Sequence, residues 1–316
     1  MSSTGATAQS YNDTNIIGEV FSTGGASNTG QFIAAIGGLN GARRVASQAY
    51  DMSATYSLDT PSANVSSENG TLTAGTAKFY AKSQAVNVCQ IWKEEIAVSN
   101  LRLSATQQLN TASLSIGGMG PELSEFDRAA ANLTEQLQAD WEFSALQGTY
   151  VARSAVGTSV AMGGLVDSTV GISTNSVNAS STALSKDQID EIMYTIAENG
   201  GKFGNMAFVC QPGYVHQLSE IYGFEPQDRN IGGVAVKQIL TDFGMVGVIW
   251  TNAAPDNTIV VADLAYIQPV VLPDLGQDVL LREYMDGSSA QKGYIEAFIG
   301  IDFTHESYHG KIYGLA

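Results

Sequence analysis

The chain has 316 residues, 44% of them hydrophobic and 15% charged, which suits two packed modules or one elongated domain and excludes wholesale disorder. Its 31 acids against 15 bases give a formal net charge of −16, and no basic run exceeds Arg43-Arg44. That balance argues against tight nucleic-acid binding, because each phosphate contact needs a cation.

Residues 1 to about 31 are rich in Ser, Thr, Gly and Asn and cannot bury enough apolar surface to fold alone. They begin with neither the basic region nor the apolar core of a secretion signal. Phe32 to Gly38 is a short apolar patch expected to dock. From Val45 to Ser99 the pattern is strand-like, with Asn69-Gly70 as a hairpin signal and the tip of a two-stranded excursion expected between 60 and 75. The returning limb carries Val86, Val88, Ile91, Ile96 and Val98, with Lys93-Glu94-Glu95 between. A lone hairpin is marginal in water, so something must cover it, a neighbouring subunit being the natural candidate.

Gly120-Pro121-Glu122 opens a helix in which Leu123, Phe126, Ala130, Leu133, Leu137 and Trp141 form one apolar stripe. Ending near Gly148, it spans roughly 26 residues, or about 39 Å. Residues 149–184 are small and nearly uncharged, and read as irregular or loosely stranded surface. Ser185-Lys186-Asp187-Gln188 starts a second helix with Ile189, Ile192, Met193 and Ile196, stopped by Asn199-Gly200-Gly201. A buried strand at 205–211 and a third helix from Pro212, with Val215, Leu218 and Ile221, complete a compact unit. Strands are expected at 234–241, 245–251, 258–262, 265–272, 279–284 and in a final run over 294–314. No run of about 20 apolar residues reads as a membrane span, the stretch 259–272 being broken by Asp263, Gln268 and Pro269. The chain is therefore expected to be made in the cytosol and to stay soluble.

No segment assembles a reaction site. Gly200-Gly201-Lys202-Phe203-Gly204 lacks the hydroxyl and the preceding strand of a phosphate loop, and reads as a helix-ending turn. His305 and His309 have metal spacing only on a helix, whereas 303–312 alternates like a strand, so both are expected to be surface or partly buried neutral side chains. Glu94 and Glu95 are adjacent on a strand and face opposite sides, which rules out an acid/base dyad. Cys89 and Cys210 lie far apart and are expected to be free buried thiols. No Gly-x-Ser-x-Gly elbow is present.

Three stretches resemble the major capsid proteins of tailed bacteriophages. Asn87-Val88-Cys89-Gln90-Ile91 followed by Val98-Ser99 resembles the returning limb of the family's E-loop, and Glu122 to Gly148 its spine helix. Asp302 to Leu315, with its acidic residue, His309-Gly310 and Gly314-Leu315, is similar to the closing strand. The resemblance implies an α+β fold of the Hong Kong 97 type. Its parts would be an N-terminal arm (1–44), an E-loop hairpin (45–100), a peripheral domain with the spine helix (101–184), an α/β axial domain (185–262) and closing strands (263–316). It implies a structural protein, not an enzyme, that self-assembles as hexamers and pentamers into an icosahedral head. Portal, scaffold or decoration proteins would be its partners, and DNA would be enclosed without tight binding. No cofactor, metal or membrane is implied. The charged residues expected at subunit contacts are Arg43, Arg44, Lys78, Lys82, Lys93, Glu94, Glu95, Glu125, Arg128 and Glu135. One departure from the family is the small, polar stretch 62–76. The alternatives are an encapsulin-type compartment shell and, from another class, a β-rich glycan-binding surface protein, which would need export.

Overall fold

The computed structural model describes residues 30–56, 82–100, 125–155, 157–222, 225–231, 234–274 and 279–316. Its first half holds a one-turn helix α1 (Gln31–Ala35) and the short strands β1 (Arg43–Arg44), β2 (Ala49–Asp51), β3 (Thr55–Tyr56), β4 (Lys82–Ser83) and β5 (Val86–Val88). The long strand β6 (Gln90–Ser99) and the long helix α2 (Glu125–Gln147) follow. The second half opens with β7 (Ser176–Thr182), α3 (Lys186–Glu198), β8 (Met206–Cys210) and α4 (Pro212–Tyr222). It continues through β9 (Glu225–Ile231), β10 (Val234–Thr241), β11 (Gly244–Trp250) and β12 (Thr258–Asp263). The last strands are β13 (Gln268–Val271), β14 (Val279–Tyr284), β15 (Ala290–Asp302) and β16 (His309–Leu315).

One sheet is organised around β15. Strand β6 runs antiparallel along one edge, from Ala290↔Ser99 to Ile299↔Gln90. On the other edge lie β14 and then β13, with β1 parallel on β13. Alternation along β15 buries Gly293, Ile295, Ala297 and Ile299, and α2 packs across β6 and β15. The helix sits there because its stripe delivers Phe126, Leu137 and Trp141 to the same core as Ile295 and Ile299. Approach is close: a Cβ at Gly293 would stand 2.8 Å from the Phe126 ring.

The second sheet has the order β7-β16-β12-β8-β11-β10-β9. Its centre is covered on both faces, so β8 and β12 are buried end to end. Phe208, Cys210 and Val261 face one core, shared with Ile189, Ile192 and Ile196 of α3 and Leu218 of α4. Ala207, Val209, Val260 and Ala262 face the other core, which also holds Phe32, Ile33, Trp141 and Leu146. A capping box starts α3: the Ser185 hydroxyl accepts from the Gln188 amide while the Gln188 side chain accepts from the Ser185 amide. Such a cap stabilises a helix by about 1 kcal/mol.

Three sequence expectations change. Residues 149–184 are not all surface, since Met162, Leu165 and Ile172 are fully buried and 176–182 forms the edge strand β7. Small residues there permit close packing: a Cβ at Gly164 would meet the backbone of Ser144, Gln147 and Gly148 within 2.9 Å. The final run is two strands in different sheets, separated by Thr304 in the left-handed region (φ 62°) and a short 3-10 turn at Glu306–Tyr308. A β-branched residue at that φ is strained, on the order of 1–3 kcal/mol, and is held by bonds from its amide to Asp302 and from its hydroxyl to the Tyr266 carbonyl. Strand β9 follows α4 where none was expected. The expected hairpin tip (60–75) and the start of the long helix (120–124) lie outside the described residues.

Candidate functional site

Strands β3 and β4 pair Thr55 with Ser83 and Tyr56 with Lys82, so the chain leaves and re-enters the body at one antiparallel stem on either side of residues 57–81. Just below it β2 pairs with β5. That root is locked to the end of β15 by a buried carboxylate. Asp302, 1% exposed, accepts from the Ser53 amide (3.0 Å) and hydroxyl (2.8 Å) and from the Thr304 amide (2.8 Å). Arg43 forms an ion pair with it at 3.1 Å and donates a second bond to the Asp51 carbonyl. The Tyr50 hydroxyl donates to the Ile301 carbonyl, and Asn87 donates to Gly163 and Ile301 while accepting from the Gly163 amide. A Cβ at Gly300 would meet the Tyr50 ring, which fixes the two surfaces in register.

A second anchor stands at α1. Glu142, buried in the last part of α2, accepts from the Ile33 amide (3.2 Å) and from the Thr251 hydroxyl just after β11. Gly30, at φ 85°, begins α1 so close to Gln138 that a Cβ would stand 2.8 Å from its amide nitrogen. The expected docking of Phe32 and Ile33 is observed, both buried against the long helix and the sheet.

The charged residues singled out from sequence fall in several places. Arg43 joins the Asp302 network and Arg44 pairs beside Val271 through β1. Lys93 and Glu95 lie on the outer face of β6, Lys93 over the Tyr294 ring at 4.2 Å and Glu95 accepting from the Tyr284 hydroxyl. Glu94 faces the other side of the strand. Glu135 is exposed on α2. Lys82 contributes backbone to β4, and Glu125 and Arg128 to α2, while Lys78 lies outside the described residues. Of the two tethering carboxylates, Glu142 carried no local sequence signal, and Asp302 was marked only as the acidic residue of the closing strand.

The histidines part company. His305 accepts from the Ser307 amide and caps the short turn. His309, expected on the surface or partly buried, is fully buried; its Nδ1 accepts from the Asp263 amide and its Nε2–H donates to the Phe303 carbonyl. Burial pushes it down to about 4, so it is neutral at pH 7. Cys89 and Cys210 are free and buried, and burial pushes both thiols up to about 12. Among the described residues no group of three or more His, Cys, Asp and Glu side chains is placed to hold a metal. No described helix is long and apolar enough to cross a membrane.

A long helix over a sheet, a second layered module and a tethered hairpin stem make up the architecture. Solved structures share it. The capsid of an empty GTA particle matches with a TM-score of 0.56 at 12% identity over 100% of this chain and 99% of that one. The capsid of cyanophage A-1(L) matches at 0.58 and 12% identity, over 90% and 92%. An encapsulin from Synechococcus elongatus matches at 0.58 and 10% identity, over 96% and 92%. No curated protein sequence matches. The model of the SU10 major capsid protein family matches residues 3–316, and the chain belongs to that family. It is a structural protein of the virion capsid, not an enzyme, and self-assembles into the shell of a bacteriophage head.

Proposed function

We propose that the subunit grips its neighbours through the segment between β3 and β4, used as an E-loop laid across an adjacent subunit, and through the chain N-terminal to α1, used as an arm. The observation that carries this reading is the stem itself. Thr55–Tyr56 and Lys82–Ser83 close a hairpin whose base is held by Asp302, Arg43, Tyr50 and Asn87. Rigid anchorage at the base lets contacts made farther out transmit force to the body. In this division 1–44 is the arm, 45–100 the E-loop and 101–184 the peripheral part with α2. Residues 185–262 form the axial part around five- and six-fold axes, and 263–316 supply strands to both sheets. The charged residues at contacts would include Lys93, Glu94, Glu95, Glu125, Arg128 and Glu135, with Arg44, Lys78 and Lys82 nearer the loop. Partners would be further copies as hexamers and pentamers, with portal, scaffold or decoration proteins. A wall of net charge −16 would enclose DNA without holding it tightly.

Electron microscopy of purified native material tests the scheme. Closed shells built of hexamers and pentamers are expected for the full chain, and deletion of 58–80 should leave a folded subunit that no longer closes shells. Wild-type-like shells from the deletion would overturn the gripping role. The likeness to an encapsulin is one of fold. The contents of the particles check the family reading: packaged DNA agrees with a phage head, and protein cargo would overturn it.

A further inference from the structure

Glu142 differs from Asp302 in one respect that matters. Asp302 has the guanidinium of Arg43 beside it, whereas Glu142 is buried with no cation among its described partners. Its two oxygens join three parts of the chain: the start of α1 through the Ile33 amide, α2 through its own backbone, and the turn after β11 through Thr251. Helix α1 (Gln-Phe-Ile-Ala-Ala) and the turn 251–254 (Thr-Asn-Ala-Ala) contain no ionisable side chain. Strands β10 and β11, which α1 also touches, contribute in sequence only Lys237 and, at their turn, Asp242. On α2 the neighbours in sequence are Glu135 and Asp140, and Asp140 is engaged with Gln136. No described bond joins Glu142 to Glu135, Asp140 or Asp242.

We propose that Glu142 is a proton-sensitive latch: a single buried carboxylate whose charge sets how firmly α1 is held between the long helix and the seven-stranded sheet. When neutral it stays dry at little cost and keeps α1 seated. When ionised, it is stabilised by the amides at the start of α1 but forfeits its hydration, and undocking α1 restores water to it. Burial outweighs the bonds from Thr251 and from the amides of Ile33, Phe32 and Gly30, so the docked carboxyl sits above the ordinary carboxylate range. The sign follows from linkage. The docked state binds the extra proton, so the penalty on docking is absent below the ordinary carboxylate range. It grows as pH rises toward the raised value and is complete above it.

Hydrogen exchange on the full-length wild-type protein, E142Q and E142A tests this, following the amides of Ile33 and Ala34 from pH 4, below the ordinary glutamate value, to pH 8. Rates are corrected for intrinsic exchange and referred to core amides of β12. In the wild type, relative protection of the α1 amides should fall with pH, by roughly tenfold for each unit that burial raises the carboxyl. E142Q keeps the shape and the acceptor without the charge, and should be protected and flat. E142A should be poorly protected at every pH. Protection in the wild type that is as flat as in E142Q would overturn the proton dependence, and full protection in E142A would overturn the latch itself. Should E142A fail to fold, the wild type and E142Q still decide the proton dependence.

Discussion

The two sheets are stabilised in different ways. The seven-stranded sheet is mostly local: β8, α4 and β9 to β12 follow one another in sequence, and α3 sits just before them. Its central strands β8 and β12 are buried on both faces between two largely apolar cores. The five-stranded sheet is sewn from distant pieces, with β1, β6, β13, β14 and β15 drawn from residues 43 to 302. Polar tethers hold the root of the loop to this sheet, spanning 249 residues in Ser53–Asp302 and 214 in Asn87–Ile301. Local modules rest on hydrophobic volume, whereas a sewn module that must support projecting segments also relies on directional bonds. The loop stem emerges from the sewn one.

That contrast can be broken from either side. In the local module Ile192→Ala, at a fully buried site, should cost about 3–4 kcal/mol by chemical denaturation, through lost burial and the cavity left behind. In the sewn module Asp302→Ala removes an acceptor for Ser53 and Thr304 and leaves Arg43 without its partner. A loss of about 3 kcal/mol is expected, at the lower end for a broken buried pair because Arg43 is 31% exposed. The patterns should differ: I192A exposes amides of α3 and β16 to exchange, and D302A those of β2 and β5. Identical exchange patterns would erase the distinction between the modules.

His309 joins the two. It starts β16 in one sheet and bonds to Phe303, just past the end of β15 in the other. Because its folded-state value is depressed to about 4, the unfolded chain takes up a proton first as pH falls below about 6.5. Stability present above that value is therefore lost between about 6.5 and 4, by about 3 kcal/mol in all. Denaturation midpoints across pH 4 to 7 should show this slope in the wild type and a flatter one in His309→Gln. Gly310 next to it tests packing alone: a Cβ there would stand 2.9 Å from Ile192 and Ile196, so Gly310→Ala should cost about 1–3 kcal/mol with no pH dependence of its own.

How much of this was legible in sequence follows the same divide. The stripe on α2 from Phe126 to Trp141, the start of α3 after Ser185 and the buried strand at 206–210 are local patterns, and each appears as expected. Glu142 was hidden because it stands on a helix otherwise rich in surface acids, and its partners lie 109 residues away in both directions. Asp302 resembled a strand-end acid. Residues 149–184 suggested a surface because small uncharged side chains mark loops and tight packing alike, and only neighbours such as the Ser144 backbone tell these apart. Thr304, which splits the final strands, has no glycine or proline to announce it.

The smallest expected effect on folding concerns the outer face of β6. Lys93 over Tyr294 and Glu95 with Tyr284 are exposed contacts, and exposed pairs contribute less than about 1 kcal/mol in water. Lys93→Ala and Glu95→Gln should therefore unfold within about 1 kcal/mol of wild type, in contrast to D302A. Their yield of closed particles, counted by microscopy or sedimentation, should nonetheless fall if this face meets a neighbour, because a contact repeated at every subunit is multiplied around the shell while a fold contact is felt once per chain. Normal stability with normal particle yield would remove these two residues from the assembly surface and leave the stem above Asp302 as the gripping element.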